Sequence, residues 1–332
     1  MQETGDDKPS PWSALPVDLG PGAGGSGTLR RAARIRHASM PEPTEETDDI
    51  PLPVLPPLPR SPTAPDATFA IGRLDRTRIR CVVAIISGKG GVGKTFVTAY
   101  LASELNRAGA TVGVLDADIT GPSIARVFGV AEAPQLNPDG RTIAPLRSKA
   151  GVYVMSMASV TAASKIPLIW RGPMVNSAIR GLYRDTAWPV LDYLLVDLPP
   201  GTSDAPMTVF QSLDPDGVVL VTAPTELSAE VVAKAAEMAR TFHAPILGLV
   251  ENMAYLVCPH GERVDLFGPS RGAEYATRMG VPFLGSLPIS PQVPGLSDAG
   301  RLEEFSSDDG SVLARRLKLL ADRIAAARHP EV

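Results

Sequence analysis

Cysteine is nearly absent, with 2 in 332 residues. Two thiols cannot build a disulfide framework, which excludes the small cross-linked secreted class and fits a reducing compartment. Aromatic residues make up 5% of the chain, and no apolar run approaches the roughly 20 residues that span a bilayer. Positive charge is not in excess: 32 Lys and Arg stand against 36 Asp and Glu, a formal net charge of −4. That balance supplies no general polycation for nucleic acid or an anionic membrane, so neither is expected as a partner. The opening residues Met1 to Asp7 are acidic and lack an apolar core, so no secretory signal is expected. A soluble cytoplasmic protein is the expectation.

Proline is abundant but unevenly placed. Of 33 prolines, 13 fall before Asp66, notably through Pro51-Leu52-Pro53-Val54-Leu55-Pro56-Pro57-Leu58-Pro59, and Gly and Ser fill the stretch Pro21 to Gly27. With so few aromatics this segment cannot bury enough surface to offset the entropy of ordering, so residues 1–75 read as a disordered Pro/Gly-rich tail with polyproline II character. Arg30, Arg31, Arg34 and Arg36 form a basic cluster in that tail, read as a solvated charge run, with partner docking or an Arg-rich targeting segment as the alternative.

The texture changes after the tail. Strand-like runs at Val82–Ile86, Thr111–Leu115, Val152–Met157, Tyr193–Val196, Val218–Val221, Ile246–Val250 and Pro282–Leu287 alternate with helical patterns. This alternation predicts an α/β fold over 76–330: one doubly wound, mostly parallel sheet, with ligands beyond the carboxyl ends of its strands. The clearest helix is expected from Ser228 to Phe242, with Val231, Ala235, Met238 and Phe242 on one face and Ser228 as N-cap.

The chemistry centres on Ser87-Gly88-Lys89-Gly90-Gly91-Val92-Gly93-Lys94-Thr95, which contains Gly-x-x-x-x-Gly-Lys-Thr. The apolar run Cys81 to Ile86 precedes it. A helical pattern through Val97, Leu101, Leu105 and Ala108 follows, ended by Gly109. Strand, glycine loop and helix are the context of a phosphate-binding P-loop. Backbone N–H groups close around phosphate oxygens at a helix N-terminus worth about half a positive charge. Lys94 would reach the β- and γ-phosphates, and the Thr95 hydroxyl would sit on Mg²⁺. Asp197, ending one strand, suits the metal through water; Asp118, just past another, suits orienting or deprotonating the attacking water. Alone, either aspartate reads equally well as a turn or cap residue. Lys89 has no task in the simplest P-loop, but would gain one if a second subunit faced the first across bound nucleotide.

These residues resemble the deviant P-loop of MinD/ParA-type ATPases, and the wider pattern resembles the Mrp/ApbC branch of iron–sulfur cluster carriers. Leu115-Asp116-Ala117-Asp118-Ile119-Thr120-Gly121-Pro122-Ser123, Trp170-Arg171-Gly172-Pro173-Met174, Asp192 to Asp204 and Val250-Glu251-Asn252-Met253-Ala254-Tyr255 carry the likeness, in the family's order. The resemblance implies a Mg²⁺-dependent, ATP-hydrolysing homodimer that loads iron–sulfur clusters onto apoproteins. It also implies Lys89 acting across the dimer and Asn252 contacting adenine.

The chain departs from that branch at Cys258-Pro259-His260-Gly261-Glu262, where the family's Cys-x-x-Cys lacks its second cysteine. A four-thiolate site bridging a dimer needs two cysteines per chain, and Cys258 supplies one. Cys81, opening a buried strand, is expected in the core, and His260 could serve as a nitrogen ligand. Two readings stay open: Cys258 ligates a bridging cluster, or it is an exposed thiol on a relic loop. An ATP-driven positioning or regulatory switch without a cluster is the alternative function, and a nucleotide-binding adaptor is a third. An amphipathic helix over Ser311 to Ile324, with Leu313, Leu317, Leu320 and Ile324 on one face, is expected to pack on the sheet rather than a membrane.

Overall fold

A strand buried on both faces must send alternate side chains to two separate cores, and the first strand does so. In β1 (Ile79–Ser87), Cys81, Val83 and Ile85 enter one apolar cluster, while Val82, Ala84 and Ile86 enter the other. In this computed structural model the described residues are 77–305, except 120, 131, 162–171, 202–203 and 259. The expected tail, the C-terminal amphipathic helix, and Trp170 and Arg171 lie outside them.

From β1 the chain runs through α1 (Lys94–Arg107), β2 (Val112–Asp116), α2 (Ile124–Val127), β3 (Leu146–Arg147), β4 (Tyr153–Ser156), α3 (Met157–Thr161) and α4 (Gly172–Arg184). It continues through β5 (Leu191–Asp197), α5 (Asp204–Leu213), β6 (Gly217–Thr222), α6 (Glu226–Thr241) and β7 (Ile246–Glu251). A hairpin, β8 (Leu256–Val257) and β9 (Arg263–Val264), precedes α7 (Gly272–Met279), β10 (Phe283–Ser286), α8 (Gln292–Asp298) and a 3₁₀ turn at Leu302–Glu304. Eight strands form one sheet in the order β10-β7-β6-β1-β5-β2-β4-β3, parallel throughout except for the antiparallel pair β3 and β4. The expected doubly wound, mostly parallel α/β architecture is therefore present.

Helices cover both faces. On one side α1 and α2 pack with Leu302 and Phe305; on the other lie residues of α4, α5, α6 and α7. Helix α1 is buried over most of its length, from Val97 to Leu105, because Phe305 also closes on Tyr100 with ring centroids 5.1 Å apart. Val97, Leu101 and Leu105 face the core as their spacing predicts, and Gly109 takes φ +93° just beyond the C-cap, where a left-handed residue ends the helix.

Each of the seven expected strands exists. The two-residue strands β3, β8 and β9 were not anticipated, being too short to show a period of two. One cap assignment is corrected: α6 begins at Glu226 with Thr225 at its N-cap position, so Ser228 lies within the first turn. A serine near a helix start signals the boundary only to within a few residues, because several neighbouring positions suit a hydroxyl.

Candidate active site at the strand ends

The sheet places three strand ends side by side. Asp197, at the end of β5, pairs in register with Ile85 of β1 on one side and with Asp116 of β2 on the other. The loop leaving β1 therefore runs directly over a carboxylate. In that loop Gly91 and Gly93 both take φ +79°, a conformation open to glycine at little cost, and Gly93 caps α1. Gly93 is doubly constrained, because a Cβ there would lie 2.1 Å from Asn252 Nδ2.

At the first turn of α1, Lys94 Nζ lies 2.6 Å from Asp197 Oδ1, with the side chains 7% and 0% exposed. Thr95 Oγ1 donates to Asp197 Oδ2 at 2.9 Å, and Thr98 Oγ1, one turn on, donates to Oδ1 at 2.7 Å. Ser123 Oγ donates to Thr95 Oγ1 at 3.1 Å. A buried carboxylate is tolerable only when paired and hydrogen-bonded, and Asp197 has one cation and two hydroxyls. Thr95 and Asp197 offer hard oxygen atoms of the kind Mg²⁺ takes, side by side, with Thr98 and Ser123 orienting them. The residues present fit that metal.

Asp116 is a site residue that sequence reasoning passed over. It is fully buried. Its Oδ1 accepts from the Asp118 N–H at 3.2 Å, and its Oδ2 accepts from the Ser123 and Ile124 N–H groups, each at 3.1 Å, and from Ser156 Oγ at 3.0 Å. One carboxylate thus ties the end of β4 to both ends of the 117–124 loop. Burial, and next the charge of Asp197, push its carboxyl up to about 7, against the lowering pull of the Ile124 N–H, Ser156 and Lys94. The available signal was an aspartate ending a buried strand two residues before Asp118.

Asp118 is half-buried in that loop, and its Oδ1 accepts from the Gly121 N–H at 3.1 Å. It therefore makes the local turn contact its residue type allows, on a loop that also delivers Ser123 to Thr95. Asn252, just past β7 and 4% exposed, donates through Nδ2 to the Val92 carbonyl at 2.9 Å, bracing the P-loop from below. Gly88 packs against α6: a Cβ there would lie 2.4 Å from the Val231 carbonyl carbon and from the Val232 nitrogen. Gly90 faces the loop after β5, where a Cβ would lie 3.8 Å from Pro200. Val92 is buried in the core cluster beside α1. Lys89, half-buried, donates to Thr225 Oγ1 at 2.9 Å.

Cys258 stands apart, at the turn of the β8–β9 hairpin. Its N–H donates to the Glu262 carbonyl and its carbonyl accepts from the Gly261 N–H, both at 2.8 Å, and the thiol is partly exposed. Arg263 stacks over the Tyr255 ring with its guanidinium carbon 4.1 Å from the centroid, fixing the hairpin base. Cys81 is buried in β1, as expected. Among the described residues no group of three or more His, Cys, Asp or Glu side chains converges to hold a metal ion. Nor is any helix among them long and apolar enough to cross a membrane.

Comparison with known proteins places this geometry. A family model described as ParA: NUBPL iron-transfer P-loop NTPase matches residues 78–325. A protein of Methanocaldococcus jannaschii named iron-sulfur cluster carrier protein is 45% identical over 231 residues, covering 69% of this chain and 79% of the relative. One of the same name from Clostridium perfringens is 39% identical over 237 residues, covering 70% and 84%. Among solved structures, a nucleotide-binding protein from Archaeoglobus fulgidus in complex with ADP is 40% identical, covers 72% of this chain and 93% of its own, and superposes with a TM-score of 0.63. The cell division ATPase MinD of Pyrococcus furiosus, 24% identical with a TM-score of 0.54 over 74% and 98% of the two chains, shares the fold.

Proposed function

We propose, for a chain that belongs to the ParA-type family of NUBPL iron-transfer P-loop NTPases, that it is a Mg²⁺-dependent ATPase, working as a homodimer that carries iron–sulfur clusters to apoproteins. The observation that carries the ATPase half is the assembly of Lys94, Thr95 and Thr98 around the buried Asp197 at the mouth of a glycine loop. The ADP bound to the 40%-identical Archaeoglobus protein supports a nucleotide there.

In the proposed reaction the loop from Gly88 to Thr95 receives the phosphates on its N–H groups, and Lys94 exchanges Asp197 for the β- and γ-oxygens. Thr95 and Asp197 would hold Mg²⁺, which when bound neutralises charge on the phosphate oxygens. Asp118 orients a water whose oxygen forms the new bond to the γ-phosphorus as the bond to the ADP oxygen breaks. The carboxylate takes the proton. Lys89 of one chain meets the phosphates held by the other, and Asn252 reads the adenine through the amide atoms that Val92 leaves available.

The cluster is cargo, and Cys258 is the residue that would touch it. One thiolate per chain gives two per dimer, so completing four iron ligands falls to His260 or to groups of the acceptor. The carrier reading is preferred to a cluster-free switch because the relatives at 39–45% identity are named as cluster carriers, whereas the MinD likeness reaches only the fold. Anaerobic reconstitution with iron and sulfide tests it, with ATP hydrolysis assayed on the same sample. Charge-transfer absorbance in the wild type, lost in Cys258→Ala while hydrolysis persists, is the expected result. Wild type without that absorbance but with full hydrolysis would overturn the cargo half.

A further inference from the structure

Lys89 is expected to act on phosphates held by a second subunit, yet in the single chain its ammonium is already committed. Nζ donates to Thr225 Oγ1 at 2.9 Å across a separation of 136 residues. Thr225 occupies the N-cap position of α6, where a threonine hydroxyl ordinarily accepts a hydrogen bond from an N–H of the helix's first turn. Here the side chain makes no capping hydrogen bond, and its Oγ1 accepts from the Lys89 ammonium.

The contact is set by packing. Gly88, the residue before Lys89, lies so close to α6 that a Cβ would come within 2.4 Å of the backbone at Val231 and Val232. Ser87 Oγ donates to the Lys89 carbonyl at 3.0 Å, and the Ser87 carbonyl accepts from the Gly201 N–H at 2.9 Å. The backbone on either side of Lys89 is therefore fixed against α6 and against the loop after β5. Within that frame the side chain has a long, flexible stem and a choice of acceptors.

We infer that Thr225 is a positioning residue for Lys89: its hydroxyl holds the ammonium on the protein's own helix, away from the interface, until a facing subunit offers phosphate oxygens. This rests on the proposal that Lys89 works across a dimer. A neutral hydroxyl is a weaker acceptor for an ammonium than an anionic phosphate. Transfer is therefore favourable once nucleotide and partner are present, and resisted before. The anchor sets the protein concentration at which turnover begins and leaves turnover in the assembled pair unchanged.

The test uses the 332-residue chain with ATP and Mg²⁺, measuring hydrolysis per chain against protein concentration and dimer formation by sedimentation. Thr225→Val, which removes the hydroxyl at nearly constant volume, should reach half-maximal turnover at roughly threefold to tenfold lower protein concentration, as expected for losing one partly exposed charge-assisted hydrogen bond. Its plateau should equal that of the wild type, and Thr225→Ser should restore the wild-type midpoint. Thr225→Ala gives the same reading if valine disturbs α6. A Thr225→Val curve that superimposes on wild type, or moves to higher concentration, overturns the anchor. Lys89→Ala separates the two levels of inference. If it abolishes turnover while Thr225→Val behaves as wild type, only the anchor fails. If Lys89→Ala turns over normally, the trans lysine fails and the anchor with it.

Discussion

At the scale of single residues the site is a set of buried carboxylates kept in place by neighbours of opposite chemistry. Asp197 has a cation and two hydroxyls, whereas Asp116 has three backbone N–H groups, one hydroxyl and an adjacent negative charge. Burial and Asp197 push Asp116 from 3.8 to about 7. A carboxyl raised in this way binds a proton in the folded chain that the unfolded chain has released, over the interval between those two values. Its contribution to stability is therefore present on the acid side and is lost as pH rises towards 7. Urea unfolding of the metal-free, nucleotide-free protein from pH 4 to 8 should show that decline, and Asp116→Asn should flatten it. Equal slopes for the two proteins would contradict the assignment. The meeting of Lys94, Thr95 and Asp197 was legible in the sequence, because a glycine loop and a strand-end aspartate have fixed places in this architecture. Asp116 and Thr98 were not, because their importance lies in which backbone and side-chain groups converge on them, and convergence has no sequence spacing.

At the scale of elements, the central parallel strands were readable from β-branched apolar runs, and α1 and α6 from their apolar faces. The hairpin carrying Cys258 was not, since strands of two residues show no period, and its geometry depends on Arg263 stacking on Tyr255. The contact between the P-loop and α6 was also invisible, although it explains why position 88 is glycine. Gly88→Ala would place a methyl group 2.4 Å from two backbone atoms of α6. Backbone cannot rotate away as a side-chain end can, so the helix must shift, at a cost of about 1–3 kcal/mol typical of overpacking. Denaturant unfolding reads this directly. A loss below about 0.5 kcal/mol, the range of neutral surface changes, would show that α6 does not rest on the loop.

At the scale of the molecule, the order of strands does the functional work. Placing β5 between β1 and β2 brings the P-loop, Asp197 and the 117–124 loop to one edge, while β7 delivers Asn252 beneath the loop from the other side. The proposed nucleotide chemistry would thus occupy the carboxyl ends of the parallel strands, where open α/β sheets bind ligands. Cys258 follows β7 by a few residues, on a hairpin outside the main sheet. Cargo and fuel would then be handled by consecutive stretches of chain, Asn252 at one end and Cys258 at the other.

Hydrolysis at this site is the central claim, and a steady-state assay of phosphate release from Mg²⁺-ATP by the 332-residue chain measures it. Wild type should turn over ATP, and Lys94→Ala should lose binding and turnover together. Asp118→Ala should retain ATP while hydrolysis falls by roughly 100-fold or more, as for a lost general base. Unchanged phosphate release in either variant would contradict it.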